Sequence, residues 1–137
     1  MIEVQSYFNP VKSDIYVDKD RWETTQIGRG IETYIDNHFP NLKFTEIAIF
    51  NIPEYEGSRN SISDHNCKIR ELLYSLHFDN LPRIADLGIL KLMPERKDSF
   101  KVIEVVCGDL LDNGIIPFVI GGGNDIMYAI YKAYARL

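Results

Sequence analysis

The sequence predicts an α/β domain of three layers, with helices on both faces of a small, mainly parallel sheet. Three short apolar runs rich in β-branched residues carry the prediction: Glu46–Ile52, Arg83–Gly88 and Ile115–Ile120. Runs of this length and composition read as buried strands. Each is followed by a stretch with helical spacing. The order β-α-β-α-β-α calls for a parallel sheet with right-handed crossovers.

The elements follow in order. Residues 1–44 are the least regular part. Pro10 biases Asn9 away from helix, so Tyr7-Phe8-Asn9-Pro10 reads as extended or turn. Ile27, Ile31, Tyr34 and Ile35 have the spacing of one short helix, weakened by Gly28 and Gly30. The regular unit spans 45–137, and the whole chain reads as a single domain. After the first strand, Ile69, Leu72, Leu73 and Leu76 form the i, i+3, i+4, i+7 stripe of an amphipathic helix, with Ser63 or Asp64 as its cap. The second strand is expected to stop at Gly88. A helix is expected from about Asp98 to Asp112, with Phe100, Ile103, Val106, Cys107, Leu110 and Leu111 inward and Asp98 or Ser99 as N-cap. Asn113-Gly114 ends it, because both residues tolerate the left-handed conformation. Pro117 conflicts mildly with the third strand but is tolerable near a strand's start. The last helix places Ile126, Ile130 and Tyr134 on one face, with Met127 and Tyr131 beside it.

Composition excludes several function classes. The 137 residues include 45% hydrophobic and 26% charged, the balance of a chain that folds around a core. A net charge of -5, with basic residues scattered, argues against nucleic-acid binding, which needs clustered cations to replace counterions. Two distant cysteines, Cys67 and Cys107, suggest reduced thiols rather than a disulfide framework. With no secretory leader and no apolar stretch near the roughly 20 residues a bilayer needs, the expectation is a cytoplasmic protein without membrane contact.

In parallel sheets, ligands sit at the carboxyl ends of the strands. Two loops lie there: Glu54–Ser63, with Gly57 and Ser58, and Gly121-Gly122-Gly123-Asn124-Asp125. Glycines at a strand-to-helix junction allow a sharp turn and a close approach of the backbone. One reading is a phosphate cradle, but the third glycine of the dinucleotide fingerprint and the Gly-Lys-Ser/Thr of a P-loop are both missing. A second is a tight turn with an Asn or Asp helix cap.

A third reading is a resemblance. Phe118 to Tyr128, built around Gly121–Asp125, resembles the signature of the ureohydrolase family of arginases, agmatinases and formimidoylglutamases, in which Gly-Gly-x-His-Asp/Ser follows a buried strand. Ile47–Pro53, Gly57-Ser58, Ile69–Tyr74 and Ala85–Gly88 follow that family's order, and Tyr7–Pro10 resembles the opening of a divergent bacterial-type branch. The resemblance covers nearly the whole chain and implies the N-terminal half of the arginase-like fold. It further implies, for an active parent enzyme, two manganese ions that lower the pKa of a bridging water for attack on a guanidino or formimino carbon. Asn124 stands where the family has its first metal-binding His, and an amide oxygen is a poorer ligand than imidazole. The branch it resembles lacks that His too. The family's Gly-Pro before Ile-Arg is replaced by Asn66-Cys67-Lys68, its Asp-x-His-x-Asp motif occurs nowhere in this sequence, and no Asp-x-Asp follows the glycine corner, the one such triplet being Asp18-Lys19-Asp20 near the start. No catalytic residue and no metal ligand is therefore assigned to this chain.

Two expectations follow from the resemblance and these departures. In one, the chain is the N-terminal part of a larger hydrolase, inactive alone. In the other, it is a complete non-catalytic binding or assembly module. The expected partner is a missing C-terminal half or a second copy, through an exposed edge of the sheet. Three minor candidates remain. His65-x-Cys67 beside Asp64 hints at zinc but lacks further ligands, and a loop histidine with a packed thiol explains it as well. Asp86 could face the ligand edge or bond loop N–H groups. Tyr128, Tyr131 and Tyr134 share a helical face and read as core and interface packing rather than a stacking platform.

Overall fold

A computed structural model describes residues 3–12, 16, 18–54 and 65–137, without the side chains of residues 65–67. The strands are β1 (Phe8–Asn9), β2 (Glu32–Thr33), β3 (Ile47–Asn51), β4 (Ile84–Leu90) and β5 (Ile116–Ile120). The helices are α1 (Ile27–Gly30), α2 (His65–Ser75), α3 (Arg96–Asp112) and α4 (Ile126–Tyr134). The sheet runs β1-β4-β3-β5, and β2 also pairs with β4. The three central strands are parallel, as the crossovers require.

Side chains alternate across this sheet and build two cores. Ala48, Phe50 and Ile52 of the β3 segment join Ala85 and Leu87 of β4 on the face covered by α3 and α4, against Ile103, Val106, Leu110, Ile126 and Ile130. On the other face Ile49 and Ile120 meet Tyr74 of α2 with Tyr16, Trp22, Ile27 and Ile31. Helices on both faces make the three layers that the sequence predicts. Cys107 is buried in the first core, where burial pushes its thiol up to about 12, the state of a packing residue and not of a nucleophile.

Several elements differ from the sequence expectations. The stretch 27–35 is not one helix: α1 is a single turn, and the chain then extends as β2, paired in parallel with β4. Ile31 and Tyr34 are buried through this extended segment rather than through helical periodicity. Tyr7–Pro10 contributes β1, antiparallel to the end of β4. The segment 1–44 thus closes one side of the sheet, and β4 is not an open edge.

Strand β4 does not stop at Gly88. Asp86 pairs with Ile49 but Ile89 with Asn51, so β4 carries one extra residue, a β-bulge. Gly88 sits there at φ 85°, and a Cβ would collide with the Asn9 carbonyl. The bulge resets the alternation, so that Leu87 and Leu90 both reach the α3/α4 core.

Helix α3 begins at Arg96, two residues earlier than expected, with Glu95 at the N-cap and no side-chain cap bond. The Ser99 hydroxyl accepts instead from the Met93 N–H at 2.7 Å. The α3 stop is as expected, with Asn113 as C-cap and Gly114 at φ 73°.

The largest correction concerns α2. Three of the four residues of the expected apolar stripe face outward: Ile69 and Leu72 of the helix and Leu76 just past its end are exposed, Leu72 by 68%, while Leu73 is half-buried against the second core. The inward face carries Arg70 and Tyr74, both buried. In α4, Ile126, Ala129, Ile130 and Ala133 are buried, while Tyr128, Tyr131 and Tyr134 are exposed and do not serve as core. The expected α2 caps, Ser63 and Asp64, lie outside the described residues, as do the side chains of His65 and Cys67.

Candidate functional site at the carboxyl edge of the sheet

The carboxyl ends of β3, β4 and β5 hold two arginine–carboxylate clusters. The first is built on Asp86, which projects from β4 toward α2. Arg70 reaches it with two bonds, Nε to Oδ2 at 2.7 Å and Nη2 to Oδ1 at 3.1 Å, the planar fork that a carboxylate matches. The same guanidinium donates to Asn51 Oδ1 at 3.3 Å and to the Gly88 carbonyl at 3.2 Å. The Tyr74 hydroxyl donates to Asp86 Oδ2 at 2.7 Å, so the Thr33 hydroxyl, 2.6 Å away, is left to donate to Tyr74. The Gly88 N–H completes the carboxylate at 3.0 Å.

This cluster is dry. Arg70, Asp86, Asn51 and Tyr74 are all buried. Burial draws the Arg70 pKa down, and the adjacent Asp86 charge and hydrogen bond more than offset it, so the group is held above its ordinary value. Tyr74 is pushed up, first by burial and then by the Asp86 charge, and stays a neutral phenol. Of the two readings of Asp86, the bonding of backbone N–H groups is the one observed, joined by a buried ion pair. The cluster ties α2 to β3, β4 and β2, and every oxygen of the carboxylate is occupied. It fixes the edge but presents no reactive group.

The second cluster lies at the glycine corner. Strand β5 ends at Ile120, whose carbonyl accepts from the Ile52 N–H at 3.1 Å. Gly121 and Gly122 then turn with φ of 75° and 87°. A Cβ on Gly122 would collide with Ile126 and stand 3.3 Å from the Ile52 carbonyl. The Gly123 N–H donates to the Glu54 carbonyl at 2.6 Å, so the corner is stitched to the chain leaving β3. The tight-turn reading is therefore realised. The cap is not, because Asp125 at the N-cap makes no side-chain cap bond. Its carboxylate pairs with Arg96, whose Nε also donates to Glu54 Oε1 at 3.2 Å. Arg96 lies over the Phe100 ring, 4.9 Å from its centroid.

The structure thus brings together Gly121, Gly122, Gly123 and Asp125 with two residues the sequence did not single out as partners, Glu54 and Arg96. Asn124 is beside them with its side chain exposed. Gly57 and Ser58 lie outside the described residues. A signal for Arg96 did exist: it follows the β4 segment just as the glycine corner follows β5, so both fall at the ligand edge.

The donors present do not fit a two-metal centre. Asn124 offers an amide, and the two nearby carboxylates are engaged by a guanidinium that already brings positive charge to the corner. Among the described residues no group of three or more His, Cys, Asp or Glu could hold a metal ion. A cavity of about 790 Å³, lined in part by Val4, Tyr34, Phe39, Leu42 and Lys91, shares no residue with the corner.

No family model and no curated protein matches the sequence. The fold is that of known hydrolases. The chain aligns with formimidoylglutamase from Bacillus subtilis at a TM-score of 0.63 and 22% identity, over 82% of this chain and 38% of that one. It aligns with Trypanosoma cruzi formiminoglutamase, solved with manganese, at 0.61 and 24%, over 70% and 38%. A candidate agmatinase from Clostridium difficile gives 0.59 and 19%, over 70% and 39%. The chain therefore has the fold of part of these arginase-superfamily structures and spans about two-fifths of their length.

Proposed function

We propose that these 137 residues form the N-terminal part of an arginase- or formimidoylglutamase-like, metal-dependent hydrolase acting on a guanidino or formimino C–N bond. The carrying observation is the glycine corner at the carboxyl end of β5, in a chain whose fold aligns with part of those hydrolases. In this reading the chain supplies a rigid wall. The Asp86 cluster fixes the ends of β3 and β4, and the Glu54 carbonyl fixes the corner. The acids and imidazoles that would hold manganese come from a segment with other sequence. The chain alone is then inactive, and the protein works in the cytoplasm.

Two assays test this. The purified chain with added manganese should release no urea or formamide from arginine, agmatine or formimidoylglutamate above a metal-only control, and release would overturn its inactivity. Reading the gene past codon 137 should reveal Asp-x-His-x-Asp and Asp-x-Asp, and their absence would sink the hydrolase reading.

The Arg96 clamp favours a second reading, a non-catalytic binding or assembly module on the same fold. Under it, even a longer product with manganese shows no hydrolysis and no stoichiometric metal by elemental analysis.

A further inference from the structure

The cavity of about 790 Å³ lies beside the end of β4, on the side of the sheet away from β5 and the glycine corner. Its apolar wall is Val4, Tyr34, Phe39 and Leu42, which belong to the first core or pack on it. The rings of Tyr34 and Phe39 meet edge to face, with centroids 5.0 Å apart. Three polar groups of the lining have no partner among the described residues. The Tyr34 side chain is buried, with 8% exposure, yet its hydroxyl bonds to no protein group. That oxygen is not sealed in as the Trp22 indole N–H is, so it opens onto the cavity. The Lys91 ammonium and the Glu3 carboxylate stand at the exposed rim, and neither makes an ion pair. The backbone sets them there: the Lys91 N–H donates to the Tyr7 carbonyl at 2.8 Å, and Glu3 precedes the short turn Gln5–Tyr7.

We propose that this cavity binds an apolar dipeptide, holding its carboxylate with Lys91 and the Tyr34 hydroxyl and its ammonium with Glu3. The charges favour a zwitterion. One cation and one anion share the rim, so a simple anion or a simple cation meets a like charge there. A lone lysine, without an arginine fork beside it, is also a poor match for a phosphate. The size favours two residues. Cavities of roughly 300–1,000 Å³ suit molecules of drug size, more than one small amino acid fills. The wall of Val4, Phe39 and Leu42 takes the apolar side chains, and the ligand completes a hydroxyl that the fold leaves unpaired. The Tyr34 N–H donates to the Asp86 carbonyl at 2.8 Å, so a filled cavity braces the strand that carries the buried ion pair. A ligand that binds only the folded chain then raises its stability by mass action. The proposal stands apart from the hydrolytic reading and does not need it.

The test is titration calorimetry of the full-length gene product with leucyl-phenylalanine. A dissociation constant below about 1 mM is expected, with a higher thermal midpoint at saturating dipeptide. Lys91→Met and Glu3→Gln should each weaken binding about tenfold, and Tyr34→Phe about fivefold. Circular dichroism should be unchanged in the first two, because both side chains are exposed. Blocked ligands assign the ends. Acetylating the dipeptide amine should cost wild type about tenfold and Glu3→Gln nothing further, and amidating its carboxylate should do the same for wild type and Lys91→Met. No heat of binding at millimolar dipeptide, equal losses from a blocked ligand in wild type and its matched variant, or free leucine binding as tightly as the dipeptide would overturn the proposal.

Discussion

Two arginines close on carboxylates at the same edge of the sheet, and solvent separates their worth. The Arg70–Asp86 pair has side-chain exposures of 2% and 0%, with five further bonds around it. Arg96 is 36% exposed, and its two carboxylates are exposed by 9% and 34%. A dry pair holds because neither charge has water to return to. Removing one partner strands the other at a cost of several kcal/mol. A pair half in water is weakened by screening and by rehydration. The same chemistry therefore acts as a fastener in one place and as an adjustable contact in the other.

The contrast can be broken by mutation, beginning with the largest effect. Arg70→Met strands the Asp86 carboxylate and should cost about 3–5 kcal/mol in urea unfolding, enough to unfold a marginal domain. Arg70→Met with Asp86→Leu should recover part of that loss, and a double variant worse than the single one would refute the stranded-charge account. Gly122→Ala should cost about 3 kcal/mol, because it combines a left-handed backbone with a collision at Ile126. If it is silent in thermal unfolding, the corner is not held as described.

Tyr74→Phe removes one bond to a buried carboxylate and should cost about 2 kcal/mol. It also carries a pH signature. The fold holds the Tyr74 pKa above the ordinary 10.0, so its contribution is complete below that value and is lost as pH rises past it. Wild type should therefore lose stability above about pH 10 more steeply than Tyr74→Phe. Identical alkaline limbs would contradict this. Arg96→Met should cost under about 1 kcal/mol, and raising salt should shrink the difference. A loss as large as that of Arg70→Met would erase the contrast between the two clusters.

The central sheet was legible because its strands are continuous apolar runs, and so was the glycine corner, where three glycines leave little but a turn. The polar fastener was not legible. Ile69, Leu72, Leu73 and Leu76 make a persuasive inward stripe, yet Arg70 and Tyr74, four residues apart on another face, take the core. Periodicity scores burial by hydrophobicity alone, and the attraction of a buried Asp86 for a guanidinium leaves no trace in it. The bulge at Gly88 was missed for a related reason, because the glycine is a convincing strand end until Asn9, far off in sequence, is laid across it. Segment 1–44 hid two strands of two residues each, too short for any alternation to register.

Those two small strands have a consequence for assembly. Both pair with β4, one along its first half and one at its end, so the sheet edge on that side is cut to two strands of two residues each, too short to template a long pairing. A unit with two sticky sides can add copies without limit, whereas a unit with one can only meet a single neighbour and stop. Among the described residues, a second copy pairing β5 to β5 therefore closes a two-copy sheet and does not seed a filament through it.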